Sequence, residues 1–174
     1  MGYSDTDRRF GDLGFGIATG SVYFKWLKVN KNWISYRAPT EREDYGFKVD
    51  RIISIHRPDE KFASETLVQE HYRRHKAAQW DDITRTESTE QGNAAEFYVG
   101  RSHFLVYGVL NEALTAFLKF VVVPWGELIL GIQNDTIPYE REWNLNKKVW
   151  FRTVEIAAIE RAGINVWRWT NGDR

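Results

Sequence analysis

Two apolar runs, 104–110 and 117–123, are the most hydrophobic stretches of the chain, and the rest of the pattern is organised around them. Both are rich in Val, Phe and Tyr. Each is bounded by a residue that interrupts regular structure: Gly100 before the first, Asn111 between them, Pro124 after the second. Short continuous apolar runs with such bounds predict strands covered on both faces. A helix is expected directly afterwards, from Gly126 to Ile132.

Upstream, Phe10, Leu13, Ile17, Phe24 and Leu27 recur at helical spacing and predict a first helix over 12–27. Gly16 and Gly20 share one face of it, which suggests a close approach to another backbone. The GDLGFG stretch within it lacks both a preceding strand and the spacing of a phosphate-binding loop. A short strand is expected over 33–37, closed by Pro39. In 47–56 the pattern alternates. Phe47, Val49, Ile53 and Ile55 share one side with Arg51, while Lys48, Asp50, Ile52, Ser54 and His56 share the other.

Pro58 and Asp59 are expected to open a second helix that runs through Phe62, Leu67, Val68, Tyr72 and Ala78 to about Gln79. Residues 81–93, DDITRTESTEQGN, have little to bury and are expected to form a mobile loop, cut first by a protease at Arg85. A second loop is expected over 135–148, with Trp143 exposed. Then follow a strand end at 149–152, a helix over 154–162 capped by Thr153 and stopped by Gly163, and an edge strand over 164–169. The whole predicts one domain, 1–174, of α/β or α+β class. Its centre is a mixed sheet of about five strands with helices packed on it.

Composition narrows the function classes. Twenty-four basic and twenty-four acidic residues cancel, so no global charge draws the chain to nucleic acid, although a local patch still can. The absence of cysteine excludes disulfides, thiolate zinc sites and cysteine nucleophiles. The first ten residues carry no apolar signal core, and no apolar run nears the roughly 20 residues of a membrane span. A cytoplasmic protein without a membrane partner is the expectation. Eight tryptophans among 15% aromatic residues supply rings for a core, an interface or base stacking.

The candidate chemistry begins on the polar side of the alternating stretch. Asp50, with Lys48 two residues before it, offers an oxygen ligand for a divalent cation and an ammonium to steady a phosphate or a water. Glu43 and Asp44 lie just upstream, and Glu96 begins a later stretch expected to pair nearby. The order of elements resembles that of restriction-type nucleases, which carry an Asp followed on the next strand by Glu-x-Lys. Here Glu96-Phe97-Tyr98 has Tyr at the Lys position. The resemblance implies a metal-dependent nuclease acting on DNA or RNA. Asp50 and Glu96 would be its catalytic metal ligands, Mg²⁺ its cofactor, and Lys48 the polarising group. The competing account pairs Asp50 with Lys48 or Arg51 on a solvated face.

Arg73, Arg74 and Lys76, with Arg85 in the neighbouring stretch, are the candidate nucleic-acid-binding residues, each adding salt-dependent affinity. Trp143, Trp167 and Trp169 are candidates to stack on bases. His71 and His75 have the spacing that puts two zinc ligands on one helix face, and His56, His103 or a carboxylate would have to complete the site. The alternative function is a non-catalytic binding or assembly protein that meets a protein or nucleic-acid partner through its aromatic surface. A homo-oligomer is compatible with either.

Overall fold

Residues 5–46, 48–89, 91–92 and 100–170 are described by a computed structural model of the chain. Two helices, α1 (Asp5–Ser21) and α2 (Tyr23–Leu27), lead into β1 (Ile34–Arg37), β2 (Arg51–Ile55), β3 (Ser64–Arg73) and β4 (Asp82–Thr89). The two apolar runs follow as β5 (Phe104–Leu110) and β6 (Phe117–Pro124), and α3 (Trp125–Gln133) continues without a break. Then come β7 (Glu140–Asn144), β8 (Val149–Glu155), α4 (Ile156–Arg161) and β9 (Trp167–Thr170).

Six strands form one sheet in the order β1-β2-β3-β5-β6-β9, antiparallel throughout except where β3 runs parallel to β5. The other three form an antiparallel sheet, β4-β8-β7. The fold is α+β in a single domain. The apolar runs are continuous because both their faces are covered. Val106, Leu110, Phe120 and Val122 join Ala18, Val22 and Tyr23 of the helices in one core. Leu105, Tyr107, Val109, Val121 and Val123 join Ile83, Val154, Leu128 and Ile159 in a second core on the opposite face. No helix among the described residues is long and apolar enough to cross a membrane.

The expected close approach of the first helix occurs at Gly14, not at Gly16 or Gly20, which face open space. A Cβ at Gly14 would lie 2.5 Å from the Tyr72 ring, and one at Gly108 would lie 2.5 Å from Phe117 and 3.0 Å from Tyr72. Tyr72 is thus slotted between α1 and β5 by the absence of two side chains. The predicted single helix over 12–27 begins earlier and is interrupted at Val22, whose N–H still reaches Ala18.

Three expectations are corrected. Residues 58–79 do not form a helix: they contain β3 and a short 3₁₀ turn at His75–Gln79. The spacing of Leu67, Val68 and Tyr72 imitates a helix because a strand covered on both faces carries apolar groups on both. The ladders to β2 and β5 then decide the conformation. The loop expected over 81–93 is a strand from Asp82 to Thr89, with Ile83, Arg85 and Glu87 directed inward and buried. Arg85 is therefore a poor site for a protease. Its low apolar content hid the strand, because the inward positions are filled by charges that find partners. Residues 140–144, also expected as loop, form β7, and β8 extends through Thr153, which pairs with Thr84 instead of capping a helix. Gly163, at φ 83°, stops α4 as expected, and β9 is an edge strand.

Candidate nucleic-acid interface and a buried carboxylate

β2 begins only at Arg51, so Lys48 and Asp50 precede the ladder and the alternation that placed them on one face does not govern them. Lys48 has left-handed backbone (φ 54°), and its carbonyl accepts a hydrogen bond from Ser102 at 3.1 Å. Asp50 is half-buried, and its Oδ2 accepts the backbone N–H of Glu70 at 2.6 Å. Glu96, the expected second ligand, lies outside the described residues. Glu43 is engaged elsewhere: Arg37 bonds both its oxygens at 3.0 and 3.1 Å, and this contact, with the Thr40 N–H, lowers its pKa to about 2.

The acid whose backbone Asp50 meets is Glu70, and the charge of Asp50 acts on the Glu70 carboxyl; the helical reading of this segment concealed it. On β3, Val68, Glu70 and Tyr72 alternate toward α1 and α2. The Glu70 side chain is 6% exposed and accepts a very short hydrogen bond from the Tyr23 hydroxyl, which lies 3.2 Å from that of Tyr72. Arg51 Nε lies 3.7 Å from its other oxygen, while the same guanidinium reaches Asp12 of α1 at 2.8 Å. Burial pushes the Glu70 pKa up to about 7, against the pull of Tyr23 and Arg51 and with a push from Asp50. Burial also raises Tyr23 and Tyr72, so both stay protonated donors. The arrangement ties the helical layer to the sheet through one acid.

The expected basic cluster is divided. Arg74 lies over the Phe10 ring, Lys76 is exposed on the 3₁₀ turn, and Arg73 bonds the Tyr107 hydroxyl at 2.7 Å on the sheet face opposite Glu70. Arg85 of β4 comes to that same face and approaches Nδ1 of His71 at 3.0 Å. An arginine has only donors, so His71 Nδ1 is the acceptor and its proton sits on Nε2. Burial, with the positive charges of Arg85, Arg73 and Lys147, holds the His71 pKa well below the usual imidazole range. His75 lies beyond the strand, and His71 is stacked on Tyr107 at 5.2 Å, so the helical zinc pair does not exist. Among the described residues, no three His, Asp or Glu side chains converge as metal ligands.

The chain matches no protein-family model and no curated protein sequence.

On the three-stranded sheet, charged and aromatic side chains stand in successive rows. Arg85 of β4 pairs with Arg152 of β8, which pairs with Arg141 of β7. In the neighbouring rung Trp150 pairs with Trp143, and in the rung on the other side Ile83 pairs with Val154 in the core. Directly paired residues and those two apart share a face. One face of this sheet therefore carries an apolar rung, an arginine rung and a tryptophan rung in succession.

Three like charges across adjacent strands repel one another unless something separates or neutralises them. Buried Glu87 is the only acid seen contacting the row among the described residues, at 2.7 Å from Arg141 and 3.3 Å from Arg152. Burial raises the Glu87 pKa and these two arginines lower it, with a net lowering. Arg141 also lies 4.2 Å above the Trp150 ring and Arg152 lies 4.0 Å from the centre of Tyr139. Exposure rises along the row, from buried Arg85 through Arg152 to Arg141, whose side chain is 47% exposed beside the outward Trp143. Trp143 was visible in the sequence. Its partners Arg141, Trp150 and Arg152 were missed, although their two-residue spacings, R-x-W and W-x-R, were the available signal. Trp167 and Trp169 lie instead on β9, half-buried against the helical-side core.

Proposed function

We propose that this is a non-catalytic nucleic-acid-binding protein that holds a single strand on the open end of the three-stranded sheet. The observation that carries this is the arginine rung beside the tryptophan rung, with Arg141 and Trp143 exposed at its outer end. Phosphates need fixed cations and unstacked bases need a flat ring, and the two rungs offer them side by side. A duplex keeps its bases stacked on one another, whereas an open strand can lay them on the exposed ring, so an open strand is the better substrate.

Fluorescence anisotropy with oligothymidine, oligouridine and a duplex, from about 50 to about 200 mM salt, tests this. Single strands should bind more tightly than the duplex. Trp143→Ala should weaken them by about 1–3 kcal/mol. Arg141→Ala should weaken them and flatten the salt dependence by about one unit of slope. The reading is sunk if wild type binds no oligonucleotide at low salt, or if both variants bind as wild type does.

A metal-dependent nuclease is a second reading with one observation in its favour: Asp50 is half-buried against the backbone of Glu70, and its negative charge is felt by the Glu70 carboxyl. If it holds, adding Mg²⁺ or Mn²⁺ to the same oligonucleotides should yield cleavage products, and Asp50→Asn should remove them. Intact strands with both ions present would rule it out.

A further inference from the structure

Away from the residues of the three-stranded sheet, a cavity of about 490 Å³ opens between the end of α2, the start of α3 and β9. That volume falls within the range of small-molecule sites. Its walls include three large rings, Trp26, Phe104 and Trp167, all only half-buried. Half-exposed rings around such a cavity present apolar surface that a flat ligand would cover. The rings are already fixed: Trp26 meets Phe104 edge-on at 5.0 Å, and Trp167 meets Phe120 edge-on at 6.4 Å. A ligand would therefore enter without first ordering its walls.

Four polar residues complete the lining; one of them, Arg168 of β9, is held by Glu160 and Asp81, which leaves three to meet a ligand. Glu127 stands in the first turn of α3, Asn165 just before β9, and Lys28 at the end of α2, all exposed. A carboxylate, an amide and an ammonium around aromatic walls do not suit a lipid tail or a simple hydrocarbon. They suit a heteroaromatic ring with a polar edge and an anionic tail. Guanine presents two adjacent donors, N1–H and the N2 amine, which match the two acceptor oxygens of a carboxylate, while adenine's edge offers no such pair. The ammonium of Lys28 matches a phosphate as a point charge.

We infer that this cavity is a mononucleotide site selective for guanine, with Glu127 reading the base edge, the three rings holding the base and Lys28 attracting the phosphate. It shares no residue with the Arg141–Trp143 surface and does not depend on that surface binding nucleic acid.

Isothermal titration calorimetry of the full chain with GMP and with AMP tests the site. GMP should bind measurably and more tightly than AMP. Glu127→Gln, a change at an exposed position, should bring GMP down to the affinity of AMP. Trp167→Ala should weaken both nucleotides by about tenfold or more, the loss expected for one stacking ring. Trp143→Ala should leave GMP binding unchanged, and Glu127→Gln should leave oligonucleotide binding unchanged, so this site and the sheet surface fail or survive separately. Absence of GMP binding at millimolar concentration overturns the inference. So does equal affinity for GMP and AMP in the wild type, an unaltered preference in Glu127→Gln, or loss of GMP binding in Trp143→Ala.

Discussion

A Val122→Asp chain is expected not to fold. Val122 is 1% exposed, paired with Val106 on one side and Trp167 on the other, and packed in the core beneath α1 and α2. An ionised carboxylate there would have no partner, and a neutral one would still leave its polar atoms unsatisfied. Either cost is several kcal/mol, comparable with the roughly 5–15 kcal/mol that holds a domain together. Circular dichroism and dispersed amide resonances should both be lost. Val122→Ala separates the effect of charge from that of volume: it should fold, with a loss of about 1–3 kcal/mol from the vacated space. A soluble, folded Val122→Asp protein would show that β6 is not covered on this face.

Glu70→Gln is expected to raise stability at alkaline pH and to remove part of its pH dependence. The folded protein lifts the Glu70 pKa to about 7 from an ordinary value of 4.5, so folding favours the protonated acid. That contribution is fully present below the ordinary value and is lost as pH rises through the folded one. Wild-type stability from this group should thus fall between about pH 5 and about pH 8, by up to roughly 3 kcal/mol. Glutamine keeps an acceptor for the Tyr23 hydroxyl and cannot ionise. Urea denaturation at several pH values should find the two proteins alike near pH 5 and the variant more stable near pH 8. A wild-type protein that gains stability over this interval relative to the variant would mean that Arg51 outweighs burial and keeps Glu70 ionised.

The sequence revealed those elements whose burial uses apolar side chains and obscured those whose burial uses charged ones. β5, β6 and the helix after them were legible because continuous apolar runs leave few alternatives. β4 was not, because Arg85 and Glu87 occupy inward positions where a strand pattern calls for apolar residues. Their partners, His71, Arg141 and Arg152, lie far away in sequence, and pairing of that kind leaves no local trace. β3 failed for another reason. Burial on both faces gave it apolar groups at spacings a helix also produces, and only its position between β2 and β5 settles the matter. The site followed the same division. Asp50 and Trp143 stood out individually, whereas Glu70, Arg141 and Arg152 gain meaning only from what the strands set beside them. A helix over 58–79 would also bring together a zinc pair and a basic face that the strand and the turn after it separate.

The one parallel pairing among the described residues, β3 beside β5, makes the order of assembly matter. Between those two strands the chain leaves the larger sheet, and among the described residues β4 finds its strand partner only at Val149–Glu155, sixty or more residues later. The last strand, β9, in turn closes the larger sheet against β6. Neither sheet can therefore be completed while the C-terminal third is still missing, and a growing chain must hold exposed strand edges until it arrives. Such long-range closure is slow compared with helix or hairpin formation and leaves the waiting strands open to association with other chains. Refolding should be slow for a chain of this size, and fragments ending before Val149 should aggregate instead of folding partway.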